Sequence, residues 1–267
     1  MRKIVQRTCI ILWILIPFFI SAQSGDHTSG KESVRFKVLS YNLRFGELAS
    51  MEEFAEFIKE EDPDFVALQE VDNRTFRERA PKQNDIDFAT ELGYHTGMIP
   101  AYGKTIPYRG GYYGIGILSK YPLSKIERIY LPKTENGKEQ RAVLVAEVEY
   151  KEGEYITFAS THLDYTNTEE RQVQVEKLNE VLKQSAHPVI VAGDFNARPD
   201  AVEIRQGMSE WKLVSSLDPT VPADKPRHTI DYIFCFPKGK WKDIENQTYR
   251  IDLSDHLPIS AVIELEK

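Results

Sequence analysis

Short apolar runs recur along the chain, and most of them stop abruptly at a polar residue. Val189 to Ala192 is β-branched, uncharged and short, the composition of a buried strand, and it ends in Gly193-Asp194-Phe195-Asn196. Arg35 to Ser40 alternates, with Phe36, Val38 and Ser40 on one side, and ends in Tyr41-Asn42. Asp64 to Gln69 predicts a buried strand ending at Glu70. Tyr155 to Ser160 predicts another, ending in Thr161-His162-Leu163-Asp164. Gly114 to Ser119, Leu123 to Leu131, Ala142 to Val148, Thr229 to Phe234 and Ile259 to Glu264 complete the strands.

Helical spacing appears between them. Ser50-Met51-Glu52-Glu53 is a capping box that opens a helix with Phe54, Phe57 and Ile58 on its apolar face, stopping before Pro63. A second helix is predicted around Asn84 to Leu92. A third starts at Asn167-Thr168-Glu169-Glu170 and carries Val175, Leu178, Val181 and Leu182. Tyr94 to Tyr113, rich in glycine, tyrosine and arginine, reads as a loop suited to face a substrate. Residues 199–228 read as a helix followed by a loop. There is no obvious repeat and no low-complexity tract.

The polar residues at strand ends form the informative pattern. Asn42, Glu70, His162, Asp194, Asn196, Asp255 and His256 each fall at or beside one. Asp231 lies inside a predicted strand, where a carboxylate requires a partner. Each has an ordinary structural reading alone, as turn chemistry or a solvated strand end. Core packing does not place polar residues at strand ends repeatedly. If those ends meet at one edge, they make an acidic pocket with two imidazoles. Oxygen donors with few nitrogens and no cysteine favour Mg²⁺ or Mn²⁺ over structural zinc. Neither a G-x-S-x-G elbow nor a G-x-x-x-x-G-K-[ST] loop is present.

Composition adds three constraints. The 267 residues are 41% hydrophobic and 28% charged, which suits a globular chain of one large domain or two small ones. Arg2, Lys3 and Arg7 precede an apolar run from Ile10 to Ile20 and then Ser21-Ala22-Gln23. That predicts a cleaved secretory leader over residues 1–22, a polar disordered lead-in over 23–33, and an exported, periplasmic or extracellular protein with no membrane span after cleavage. Cleavage would take the net charge from −7 to −10, because residues 1–22 hold three basic and no acidic residues. Bulk charge of that sign does not attract a long polyanion. Only Cys235 would remain, which excludes an intrachain disulfide.

Six segments in order carry a resemblance: Leu39-Ser40-Tyr41-Asn42, Ala67-Leu68-Gln69-Glu70-Val71, Ser160-Thr161-His162-Leu163, Gly193-Asp194-Phe195-Asn196, Ile230-Asp231-Tyr232-Ile233-Phe234 and Ser254-Asp255-His256-Leu257-Pro258. Over residues 34–267 the chain resembles the endonuclease/exonuclease/phosphatase (DNase I-like) superfamily. The resemblance implies an α/β fold: a four-layer αββα sandwich, two mixed β-sheets packed face to face with helices outside. It implies a Mg²⁺- or Mn²⁺-dependent hydrolase acting on phosphate esters through in-line attack of water. Glu70 would be the principal metal ligand, with Asn42 beside it and Asp255 near the metal. His256 would be the general base, oriented by Asp231. Asp194 would position the nucleophile or the metal, Asn196 would hydrogen-bond phosphoryl oxygens and His162 would donate to the phosphate.

Arg109, Arg141 and Asp164 are candidate substrate contacts. Ile115 stands where the sphingomyelinase-like branches often carry asparagine, so no phosphate contact is expected from that position. The substrate expected is a phosphodiester, small, inositol-type or lipid-linked rather than long nucleic acid, handled by a monomer. Two alternatives stand beside this: a secreted Mg²⁺-dependent endonuclease, and a catalytically silent phosphate-binding module of the same fold.

Overall fold

The computed structural model describes residues 33–266. Among them the order is β1 (Ser33–Asn42), α1 (Met51–Glu61), β2 (Phe65–Asn73), α2 (Phe88–Thr96), β3 (Ile99–Tyr108), β4 (Gly111–Ser119), β5 (Leu123–Tyr130), β6 (Ala142–Lys151), β7 (Glu154–His162), α3 (Thr168–Leu182), β8 (Val189–Asp194), α4 (Val202–Arg205), β9 (Lys212–Leu213), β10 (Asp231–Phe236), β11 (Trp241–Thr248) and β12 (Ile259–Glu266). The leader predicted over residues 1–22 and the lead-in up to residue 32 lie outside the described residues; Ser33 is already strand. No described helix is long and apolar enough to cross a membrane.

Two six-stranded mixed sheets form, in the orders β11-β12-β1-β2-β4-β3 and β5-β6-β7-β8-β10-β9. Each contains one parallel pair, β1 with β2 and β7 with β8; the other pairings are antiparallel. Parallel neighbours require a crossover, and α1 and α3 supply it. The inward faces meet in one apolar layer that includes Phe36, Phe65, Ile117, Phe158, Ile190 and Ile263. Outside it, α1 and α2 cover the first sheet through Phe54, Ile58 and Leu92, and α3 and α4 cover the second through Val175, Leu178 and Ile204. This is the four-layer αββα sandwich.

The helix starts follow the sequence. Ser50 accepts from the Glu53 N–H while the Glu53 carboxylate accepts from the Ser50 N–H, a reciprocal capping box. Asn167 caps α3 in one direction only, its side chain accepting from the Glu170 N–H. The second helix begins at Phe88, capped by Asp87, four residues later than predicted.

One expectation is corrected, one helix is shortened and one strand is added. Tyr94 to Tyr113 is largely strand: β3 and β4 form a hairpin that turns at Arg109-Gly110. The prolines Pro100 and Pro107 fit because β3 is the sheet's edge. Residues 199–228 hold only the single turn α4 and the two-residue β9. Strand β11, not foreseen, is the opposite edge and is exposed from Lys242 to Gln247, so it shows no alternation.

One glycine of the central strand pair is required sterically. Gly193 lies opposite Thr161 in the parallel β7–β8 register, and a Cβ built on it would sit 2.0 Å from the Thr161 carbonyl oxygen. The residue permits this close approach; it does not turn the chain. Gly193→Ala must push β7 and β8 apart, and we expect a loss of at least about 2 kcal/mol in urea unfolding. An unchanged midpoint would show that the pair is not this tightly set.

Candidate active site

The strand directions bring the polar ends to one edge. Asn42 ends β1, His162 ends β7 and Asp194 ends β8, with His162 and Asp194 paired in register. Strand β10 runs antiparallel to β8, so its first residue, Asp231, lies directly opposite Asp194. Strand β12 runs antiparallel to β1, so Asp255 and His256, just before it, arrive at the same place. Glu70 reaches it differently. The β2–β4 register shifts between Leu68 and Val71, and Glu70 sits in that bulge with φ at 55°. Asn196 has φ at 49°. Left-handed backbone at non-glycine residues costs of order ~1 kcal/mol, more readily tolerated by asparagine, and clusters at functional sites.

A cavity of about 460 Å³ opens here, lined by Glu70, His162, Asp194, Asn196 and His256 from the strand ends and by Arg141 beside them. Two roomier grooves lie elsewhere, one between β5–β6 and the end of α3, the other beside Arg44 and residues 222–257. Neither draws together the set of strand-end groups that this one does.

Asn42 joins the two sheets at the cavity floor. Its Nδ2 donates to Glu70 Oε1 at 3.4 Å and to Asp194 Oδ2 at 3.2 Å. The Asn196 N–H donates to Asp194 Oδ1 at 2.8 Å, and Asn196 Nδ2 donates to the Leu163 carbonyl at 3.1 Å. His256 Nδ1 lies 3.0 Å from Asp231 Oδ2, and its Nε2 lies 3.8 Å from Asp194 Oδ2. Because a carboxylate only accepts, Nδ1 carries the proton and Nε2 faces the cavity. Thr220 donates to the same Asp231 oxygen and fixes it.

The two histidines are electrically opposite. Burial alone would lower the His256 pKa, but Asp231, with Asp194 and Asp255, outweighs it and raises the group to about 10. His162 is held well below the usual histidine range, first by burial and then by the positive Arg141 and His256. Arg141 Nη1 lies 3.1 Å from His162 Nδ1. A guanidinium only donates, so His162 Nδ1 accepts and its single proton sits on Nε2, 3.5 Å from Asp194 Oδ2. His162 is thus a fixed neutral donor, and His256 is the imidazole equipped to exchange a proton.

The carboxylates fit a cation. Burial, then Asp231, lifts the Asp194 pKa to about 7, against the pull of His256 and the bonds from Asn196 and Asn42. Burial, helped by Asp255, lifts Glu70 as well, with Asn42 its direct hydrogen-bond partner. Buried carboxylates whose charge is this poorly compensated, presenting oxygen and no sulfur, match a hard divalent ion. Asp194, Asp231 and His256 also place one ligand atom each within 4.8 Å of one another. Asp231 and His256 already satisfy each other, so Glu70, Asn42 and Asp194 form the more open donor set.

The remaining candidates divide. Asp255 does not line the cavity; it pairs with Arg44 in the groove beside residues 222–257. Arg141, 3% exposed, belongs to the site. Arg109 does not line the cavity; it sits at the β3–β4 turn, where its carbonyl accepts from the Phe76 N–H. Asp164 does not line it either; its Oδ1 accepts from the Thr166 and Asn167 N–H groups and so shapes the turn into α3. Ile115 is buried between the sheets. Sequence reading missed Arg77, Glu139 and Tyr165, which do line the cavity. They lie off the strand ends and carry no periodic signal, although the Glu139-Gln140-Arg141 segment before β6 held charge beside a named candidate.

The Endonuclease/Exonuclease/phosphatase family profile matches residues 39–256. The uncharacterised protein YbhP of Escherichia coli (strain K12) is 28% identical over 259 residues, 86% of this chain and 96% of that one. An endonuclease/exonuclease/phosphatase structure from Bacteroides vulgatus superposes with a TM-score of 0.71 at 18% identity, covering 87% of this chain and all of that one. Mannosyl-6-phosphatase Bt3783 of Bacteroides thetaiotaomicron superposes at 0.67 with 15% identity, covering 85% and 99%. At those identities the structures show a shared fold.

Replacing Arg141 by methionine removes the fixed donor and a positive neighbour from His162. We expect the His162 pKa to rise and its neutral form to populate both tautomers, read as the ¹⁵N shifts of the imidazole nitrogens. Unchanged shifts would show that Arg141 does not set the tautomer.

Proposed function

Because the chain belongs to the endonuclease/exonuclease/phosphatase family, we propose that it is a metal-dependent phosphoesterase that hydrolyses a small or lipid-linked phosphate ester. The observation that carries this is the meeting of Glu70, Asn42, Asp194, Asn196, His162 and the His256–Asp231 pair around one cavity. Bt3783, a phosphatase by name, shows that the shared fold supports phosphate-ester hydrolysis. The basic, then apolar N-terminal segment supports export as part of the same reading.

A divalent ion, Mg²⁺ or Mn²⁺, held by Glu70 with Asn42 and Asp194 beside it would neutralise charge on the phosphoryl oxygens. The protein's own groups do the rest. His162 presents its Nε2–H to a phosphoryl oxygen, and the second Nδ2 hydrogen of Asn196 is available to another. His256, neutral at Nε2, takes the proton of the attacking water as the P–O bond to the leaving alcohol breaks, Asp231 stabilises the imidazolium that results, and the departing alkoxide takes a proton from solvent. Asp194 holds the water on line between Nε2 and the phosphorus. The completeness of this set favours an enzyme over a silent binding module. The acidic net charge favours a compact substrate over DNA.

Hydrolysis of bis-p-nitrophenyl phosphate, plasmid DNA, sphingomyelin and a phosphoinositide, with Mg²⁺ or Mn²⁺ and with excess EDTA, tests the reading. We expect turnover that EDTA abolishes and that His256→Ala lowers by about two to four orders of magnitude. A folded His256→Ala protein with near-normal turnover would overturn the assigned base.

The pH dependence follows from the direction of the His256 shift. A base whose pKa is raised by carboxylates is protonated at lower pH, so kcat/KM must rise with pH until the group deprotonates. Asp231 is the largest of the influences raising it. Asp231→Asn should therefore move the rising limb to lower pH while lowering the plateau, because the imidazolium loses its partner. A limb that stays in place would mean that another group titrates.

A further inference from the structure

The mouth of the cavity is built unlike its floor. The floor holds carboxylates in search of a cation. At the mouth, each arginine is already matched by a carboxylate. Arg77 Nε and Nη2 donate to the two oxygens of buried Asp72 at 2.5 and 2.9 Å. Arg79 Nε and Nη2 donate to Glu47 at 2.7 and 2.6 Å, and Glu47 also takes Arg44, itself paired with Asp255. Arg141 Nη2 lies 3.3 Å from Glu139 Oε2. No surplus positive charge faces a second phosphate.

The apolar part of the lining is aromatic, from Phe45, Tyr108, Tyr113 and Tyr165. Among the described residues, no aliphatic side chain lines the cavity, so an acyl chain finds no channel in it. What remains are groups that recognise hydroxyls. Glu139 offers carboxylate acceptors, and Arg77 keeps Nη1 without a bonded partner among the described residues. Tyr165 presents a ring 57% exposed. An aromatic face, an acceptor and a donor suit a sugar or cyclitol ring, whose faces are carbon and whose edges are hydroxyl.

The Arg77 guanidinium is held rigidly for this. It lies 4.0 Å from the Phe45 ring centre and 4.3 Å from that of Tyr108, while Asp72 grips it from the side. The loop that carries Glu139 is tied down as well: the Thr134 N–H donates to buried Glu170 at 3.0 Å, and a Cβ on Gly137 would lie 2.4 Å from that carboxylate. These groups are set in advance, as a specificity wall requires.

Resting on the phosphoesterase reading above, we propose that the leaving group is an uncharged polyol, read by Glu139, Arg77 and Tyr165, and that the substrate carries a single phosphate. The matched arginines reject a second phosphate, which excludes polyphosphorylated cyclitols and runs of nucleotide. Glu139 is the residue that keeps Arg141 matched. Neutralising it leaves Arg141 uncompensated, so preference must move toward an anionic leaving group.

The test compares glucose 6-phosphate, glucose 1,6-bisphosphate and a thymidine dinucleotide, with kcat/KM measured in Mg²⁺. The wild type should favour the monophosphate by about tenfold or more. Glu139→Gln should raise the ratio of bisphosphate to monophosphate about tenfold, a change that a merely structural role would not produce. Tyr165→Ala, at an exposed ring, should raise KM for the monophosphate more than it lowers kcat.

Calorimetry with the folded His256→Ala protein supplies the same ordering as dissociation constants, without turnover. Turnover that favours the bisphosphate or the dinucleotide overturns the polyol assignment and leaves the phosphoesterase reading intact. A wild type inert on all three whose His256→Ala form still binds the monophosphate most tightly upholds the polyol assignment and counts against the activity. Equal loss on every substrate in Glu139→Gln overturns the role of Glu139.

Discussion

A single carboxamide holds the two halves of this protein together where its chemistry lies. Asn42 ends a strand of one sheet, and its Nδ2 reaches both Glu70 of that sheet and Asp194 of the other. Directly beneath, Ser40, Gln69 and Ser160 continue a polar seam, with Ser160 donating to the Leu68 carbonyl across the sheet interface at 3.2 Å. In the core between them the sheets meet through apolar side chains, which resist separation without fixing direction, and the Lys212–Asp243 ion pair and the bond from Arg128 to the Lys104 carbonyl link only their edge strands. Hydrogen bonds are directional, and buried ones are costly to leave unmade. The seam therefore sets how far apart the two sets of strand ends stand, and with it the reach between Glu70 and Asp194.

That placement creates an electrostatic conflict which the rest of the site resolves unequally. Burial works against ionised Glu70 and Asp194 alike. Two resident cations compensate part of the charge, His256, which Asp231 binds closely, and Arg141, which is itself paired with Glu139. The second imidazole cannot help: burial first, and then Arg141 at its Nδ1, hold it neutral. A site with one charged histidine, one paired arginine, one neutral histidine and several carboxylates still lacks positive charge. That deficit is the physical case for a divalent ion, and it arises from the protein's own groups.

The sequence revealed the site's floor better than its walls. Asn42, Glu70, His162, Asp194, Asp231 and His256 were visible because strands advertise themselves by β-branched runs, and a polar residue at the end of one stands out. The inner strands and the α1 and α3 caps were legible for the same reason: burial enforces a pattern. The edges were not. Strand β3 contains two prolines and a glycine, and β11 is polar along nearly its whole length, because an edge strand needs neither a full set of donors nor two apolar faces. Arg77, Glu139 and Tyr165 escaped notice because they lie in loops without periodicity, and what places them at the cavity is tertiary: Arg77, for example, sits against the Phe45 and Tyr108 rings. Arg109 and Asp164 drew attention through residue type alone, and each turned out to shape a turn by backbone or side-chain hydrogen bonds.

Left-handed backbone occurs at turns of this molecule, such as Asp62 and Arg109, and also at two residues of the site. Glu70 accepts a left-handed backbone inside a strand, which interrupts the β2–β4 ladder and turns its carboxylate into the cavity. Asn196 accepts the same conformation one residue beyond Phe195, whose ring is fully buried under α3 and α4. That burial anchors the chain on one side of Asn196, and the bond from its N–H to Asp194 anchors it on the other. The strain is thus held by packing on rigid strands, so the donors and carboxylates are oriented before any ligand arrives. A site assembled this way loses little freedom when a phosphate ester binds, and more of the interaction energy is left for the transition state.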